Sequence, residues 1–61
     1  MNTYTIILGA KPIATINVSG TEYAYEVYKK VCELGELLGK SVCLVWDDIA
    51  EIIADYNFEE E

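Results

Sequence analysis

Asp47-Asp-Ile-Ala-Glu-Ile-Ile-Ala-Asp-Tyr56 is the stretch on which the architecture hinges. Ile49, Ile52, Ile53 and Tyr56 recur at three- and four-residue steps, the period of one apolar helix face. Either Asp47 or Asp48 can cap such a helix, and Asp48 with Glu51 repeats the capping-box spacing. The stretch therefore predicts a short C-terminal helix. Phe58 adds one last contact, and residues 59–61 form an acidic tail.

Upstream, Ser41-Val-Cys-Leu-Val-Trp46 alternates as a strand, with Val42, Leu44 and Trp46 on one face. Between Thr21 and Leu38 the apolar residues Ala24, Val27, Val31, Leu34 and Leu38 form a helical stripe. Ser19 and Glu22 give that helix a capping-box start, and Gly39 gives it a stop. Gly35, amid the stripe, predicts close approach of helix to sheet. Thr3–Leu8 and Ile13–Val18 read as two strands of a hairpin around Gly9-Ala10-Lys11-Pro12. Tyr4, Ile6 and Leu8 share a face with Ala14, Ile16 and Val18 only if the connection has five residues or a bulge near Ile13.

The expected fold is α+β, β-β-α-β-α. A three-stranded antiparallel sheet of order 2-1-3 is covered by one long helix, with the short helix at the C-terminus. A right-handed crossover from the second strand to the third sets that order. The opposite sheet face holds Ile7, Ile13, Cys43 and Val45 as an apolar strip. Either the short helix folds over it or a second copy does, in a homodimer.

Sixty-one residues hold one domain, placed at 1–58, and exclude a Rossmann unit, a barrel or a large cofactor cradle. With 52% hydrophobic residues the chain is not globally disordered. A core this small rarely supplies more than about 3–5 kcal/mol without a staple or a partner. The sequence has no His, Arg or Gln, and its four bases are Lys11, Lys29, Lys30 and Lys40. At a net charge of -7, direct binding to nucleic acid or to an anionic membrane is not expected. No apolar run reaches the roughly 18 residues of a spanning helix, and Met1-Asn2-Thr3-Tyr4 does not open like a signal peptide. A cytoplasmic protein with Cys32 and Cys43 as free thiols is expected.

Residues 47–61 carry Asp47, Asp48, Glu51, Asp55, Glu59, Glu60 and Glu61 without a base, so this segment alone equals the net charge. Such a run is ordinarily a solvated face, and carboxylates at a helix start favour its dipole. The functional alternative is an acidic surface that meets a Lys/Arg-rich protein or ribonucleoprotein. Tyr25 and Leu37, near the polar side of the long helix, extend that candidate partner-binding set. Asp47, Asp48 and Glu51 lack the glycine-containing loop of a calcium site, so no metal is expected. Without His, and with no evident deep pocket, no catalytic residue is assigned and no cofactor is expected.

In size, acidity, lack of Arg and simple α+β layout, the chain resembles the small inhibitors of phages and mobile elements, anti-CRISPR proteins above all. The resemblance rests on general character and on no shared motif. It implies a non-catalytic inhibitor that blocks a basic, nucleic-acid-handling partner such as a CRISPR effector. The alternative is a small self-associating structural or adaptor domain.

Overall fold

Gly9 (φ 65) and Gly39 (φ 68) occupy left-handed backbone where the chain reverses, a conformation glycine adopts without steric cost. The computed structural model describes residues 1–58. They form β1 (Asn2–Leu8), β2 (Lys11–Val18), α1 (Thr21–Leu38), β3 (Val42–Trp46) and β4 (Glu51–Tyr56). The four strands make one antiparallel sheet of order β2-β1-β3-β4, with α1 packed chiefly on β3 and β1.

The fold is thus α+β, but the expected three strands and second helix are corrected to four strands and one helix. Asp47–Ala50 is a turn, closed by Ile49 N donating to Trp46 O (3.3 Å) and Ala50 N to Asp47 O (3.2 Å). Ala50 takes φ 53, and the chain then runs back along β3 as β4. Leu44 pairs with Ala54 and Val45 with Ile52, which leaves Ile53 as the extra residue of a bulge. That bulge breaks the two-residue alternation of the strand. Ile49, Ile52, Ile53 and Tyr56 are therefore one turn residue plus a bulged strand that imitates helical spacing. The strand wins because β3 carries buried Val42 and Leu44, and its outward backbone groups need ladder partners.

The first hairpin has a two-residue turn, Gly9-Ala10, between the paired Leu8 and Lys11. Ile6 pairs with Ala14 and Ile7 with Pro12, so Ile13 is a bulge residue, as the facing rule requires. Tyr4, Ile6 and Leu8 share the helix-covered face with Ala14, Ile16, Val18, Val42 and Leu44.

The start of α1 also differs from expectation. Gly20 is its N-cap, with no side-chain cap bond, so Ser19 and Glu22 form no capping box. The Thr21 hydroxyl lies 3.0 Å from the Tyr4 hydroxyl, tying the first helical turn to the sheet. Gly39 ends the helix as predicted, and Lys40 N donates to Gly35 O at 2.8 Å.

The buried core is Tyr4, Ile6, Ala24, Tyr28, Val42 and Leu44. A Cβ on Gly35 would lie 2.6 Å from Val42 Cγ2 and 2.8 Å from Lys40 O. This close approach makes Ala24, Tyr28 and Gly35 the underside of the helix. Val27, Leu34 and Leu38, expected in the buried stripe, sit on its flank and are exposed. Tyr23 is 60% exposed, whereas Tyr25 packs against the core.

Candidate functional site

Asp47, Asp48, Glu51 and Asp55, the acidic residues of the described C-terminal segment, do not form one face. Asp47 accepts from Thr5 Oγ1 at 3.0 Å (Oδ1) and 2.7 Å (Oδ2), which ties the turn to the centre of β1. Asp48 Oδ2 accepts from Thr3 N and from Trp46 Nε1, both at 3.1 Å. The two carboxylates thus fasten the β3–β4 turn to Thr3 and Thr5 of β1, and Asp47 N adds a bond to Thr3 O at 2.9 Å. Every one of these donors is a neutral group.

Glu51 opens β4 opposite Trp46, which places it level with the helix-covered side. Asp55 lies further along, opposite Cys43 on the other sheet face. There it accepts from Asn57 Nδ2 at 3.3 Å. The fold brings Asp47 and Asp48 together, sets Glu51 beside them at the same end, and leaves Asp55 at the far end of the strand. Glu59 and Glu60, with the rest of the 59–61 tail, lie outside the described residues.

Tyr25 is occupied inside the domain. Its hydroxyl donates to Ile53 O at 3.1 Å, so the helix is pinned to the bulge in β4. Its ring meets Tyr28 edge-on, with centroids 6.3 Å apart. Leu37 is 84% exposed on the side of α1 away from the sheet.

Sequence reading passed over two residues at this end. Ile49 and Ile52, assigned to the inner edge of a helix, are 49% and 64% exposed beside the acids. Their signal was present as β-branched residues next to a double Asp, a pattern equally natural for a turn and an edge strand.

On the uncovered sheet face, Ile7 pairs with Cys43 and Val45 with Ile52. Ile13 protrudes from the first bulge, 44% exposed. Ile7, Cys43 and Val45 share that face, and α1, the helix of the described residues, packs on the other one. An open cleft of about 210 Å³ adjoins it, lined by Gly9, Ser41, Val42, Cys43, Ile52, Asp55 and Asn57. That volume is below the roughly 300 Å³ of a small-molecule site. Burial raises the Cys43 thiol pKa above its ordinary 9.0, and the nearby Asp55 charge raises it further. The thiol is thereby held protonated at neutral pH and is a poor nucleophile.

Among the described residues, no group of three or more acidic or thiol side chains is placed to hold a metal ion. Among them too, no helix is long and apolar enough to cross a membrane. Comparison of the chain with protein-family models, with curated proteins and with solved structures finds no match.

Proposed function

We propose that this protein is a non-catalytic inhibitor that binds a basic, nucleic-acid-handling protein or ribonucleoprotein through the acidic β3–β4 hairpin. The observation that carries this reading is the segregation of charge. Asp47, Asp48, Glu51 and Asp55 all belong to the hairpin, and no basic residue follows Lys40. A hairpin that carries only negative charge speeds encounter with a positively charged groove and competes for the contacts a phosphate backbone makes. Exposed Ile49 and Ile52 supply apolar contact between the carboxylates.

The test uses the two acids without a fastening role toward β1. Protein carrying Glu51→Gln and Asp55→Asn is compared with wild type as bait in lysate of the native host. Basic proteins held by the wild type at low salt and released at high salt should be depleted about tenfold on the double variant. Equal capture by both baits, or capture indifferent to salt, overturns the reading.

A further inference from the structure

We propose that the open edge of β2 is a homodimer interface. Residues 14–18 of two copies pair antiparallel about Ile16 and join two four-stranded sheets into one of eight.

The direction of the backbone groups comes first. Thr3 O accepts from Asp47 N, so the polar groups of Thr3 face the β3 side of β1. Antiparallel alternation then turns Thr5 and Ile7 toward β3, and Asn2, Tyr4 and Ile6 toward β2. Those last three pair with Val18, Ile16 and Ala14. The N–H and C=O groups of the intervening Thr15 and Asn17 therefore point away from β1. Because β2 ends the sheet, they meet an open edge.

The edge matches a second copy of itself. With Ile16 opposite the partner's Ile16, Thr15 faces the partner's Asn17 on one side of the two-fold. Asn17 faces the partner's Thr15 on the other. Each pair exchanges two backbone bonds, four in all. Ala14 falls opposite the partner's Val18, so the half-buried apolar row on the helix side continues across the junction. On the other side, Thr15 and Asn17 make polar cross-strand pairs. Nothing in residues 14–18 is charged.

Charge decides that the occupant is a second copy. Two chains of net charge -7 can join only where their acids stay apart. Residues 1–20 carry Lys11 as their one ionised side chain, while Asp47, Asp48, Glu51 and Asp55 lie at the β3–β4 side. The antiparallel register also sets the Lys11 end of each strand beside the Val18 end of the other, where Glu22 opens α1. By contrast, the β4 edge carries the carboxylates Glu51 and Asp55, which would repel those of a second copy; on β2 the bulge at Ile13 and Pro12 lie outside residues 14–18.

The helix adds an independent sign. Tyr25 reaching Ile53 on β4 fixes one flank of α1 toward that strand. At 100° per residue the opposite flank carries Tyr23, Val27, Leu34 and Leu38, which leaves this exposed apolar row above β2. In the dimer the partner's β2 extends the floor beneath it.

Sedimentation equilibrium over about a hundredfold concentration range should show a monomer–dimer equilibrium. Asn17→Pro removes an N–H that β1 does not use, so the monomer should keep its far-ultraviolet spectrum. Two of the four bonds are lost, and the dimer dissociation constant should rise about a hundredfold. In wild type at dimer-forming concentration, the Thr15 and Asn17 amides should be protected from hydrogen exchange and lose that protection on dilution. A monomer at every concentration overturns the proposal. So does a dimer whose Thr15 and Asn17 amides exchange freely, an outcome that moves the interface to Ile7, Val45 and Ile52. Binding of a basic partner at the opposite edge is read separately, so either proposal can fail alone.

Discussion

Gly35 and Ala50 are the residues at which the backbone is least replaceable and most improvable. A Cβ at position 35 meets Val42 and the Lys40 carbonyl oxygen, and the latter is backbone that cannot swing aside. Gly35→Ala gains up to about 1 kcal/mol of helix propensity but forces helix and sheet apart, at about 1–3 kcal/mol. The net outcome is lower stability, read as a lower urea midpoint. Ala50 has the opposite character. Its left-handed φ of 53 costs about 1–2 kcal/mol for an L side chain, which glycine avoids. Against the greater chain entropy glycine loses, Ala50→Gly should raise stability by up to about 1 kcal/mol in the same titration.

Two titrating side chains weaken the fold at alkaline pH. Burial raises the pKa of Tyr28 above the ordinary 10.0, with a hydrogen bond to Cys32 adding to it. Burial likewise raises Cys43 above 9.0. Both groups are neutral when protonated, and the folded chain holds those protons more tightly than the unfolded chain. Stability is unaffected below pH 9, begins to fall as pH passes 9 for Cys43 and 10 for Tyr28, where the unfolded chain ionises first, and goes on falling until the raised folded values are passed. Thermal midpoints should therefore fall between pH 9 and 11, with a shallower fall in the Cys43→Ser, Tyr28→Phe double variant. A flat profile in wild type counts against this account.

At the scale of elements, β4 is held by contacts from distant parts of the chain. Asp48 joins the turn to Thr3 N and to the Trp46 indole, and Tyr25 joins the helix to Ile53 O. Asp48→Ala should cost about 1–2 kcal/mol, toward the low end for bonds to an exposed charged group. Tyr25→Phe should cost about 0.5–1.5 kcal/mol, because the Ile53 carbonyl loses its helix-side donor. In both variants, amide exchange should accelerate first in residues 51–56, as expected for an edge strand that opens locally before the whole domain. Uniform acceleration across all four strands would show that β4 is not a separate unit of stability.

Over the whole molecule, a small core and a large net charge oppose each other. Among the described residues six buried apolar side chains form the core, and the chain carries a net charge of -7. Self-repulsion destabilises the compact state, and salt screens it with a Debye length of about 10 Å at 0.1 M. The thermal midpoint should rise when sodium chloride is added to a low-salt buffer, in wild type more than in the Glu51→Gln, Asp55→Asn variant. Dimerisation through β2 acts in the same direction by adding buried surface at the least charged edge, and would make the midpoint depend on protein concentration.

What local chemistry determines was legible in the linear order of residues. The pairing of Tyr4, Ile6 and Leu8 against Ala14, Ile16 and Val18 demanded an extra residue near Ile13, and the bulge is there. Gly39 stopped the long helix, and Gly35 marked the close approach. These features follow from side-chain period and backbone freedom, which act over a few residues. The acidic composition of the β3–β4 region was equally plain, yet not which carboxylates were already engaged. Tertiary structure alone decided that residues 51–56 are a strand. Spacing at 49, 52, 53 and 56 suits a helix as well as it suits a turn followed by a bulged strand. The choice rests on the ladder that β3 offers and on carboxylates bonding Thr3 and Thr5, more than forty positions away in sequence. It also rests on the rotation of α1 about its own axis, set by where two small residues, Ala24 and Gly35, meet the sheet. Contacts between segments remote in the chain settle such ambiguities because each alternative satisfies local preference about equally, and only one pairs the backbone of β3.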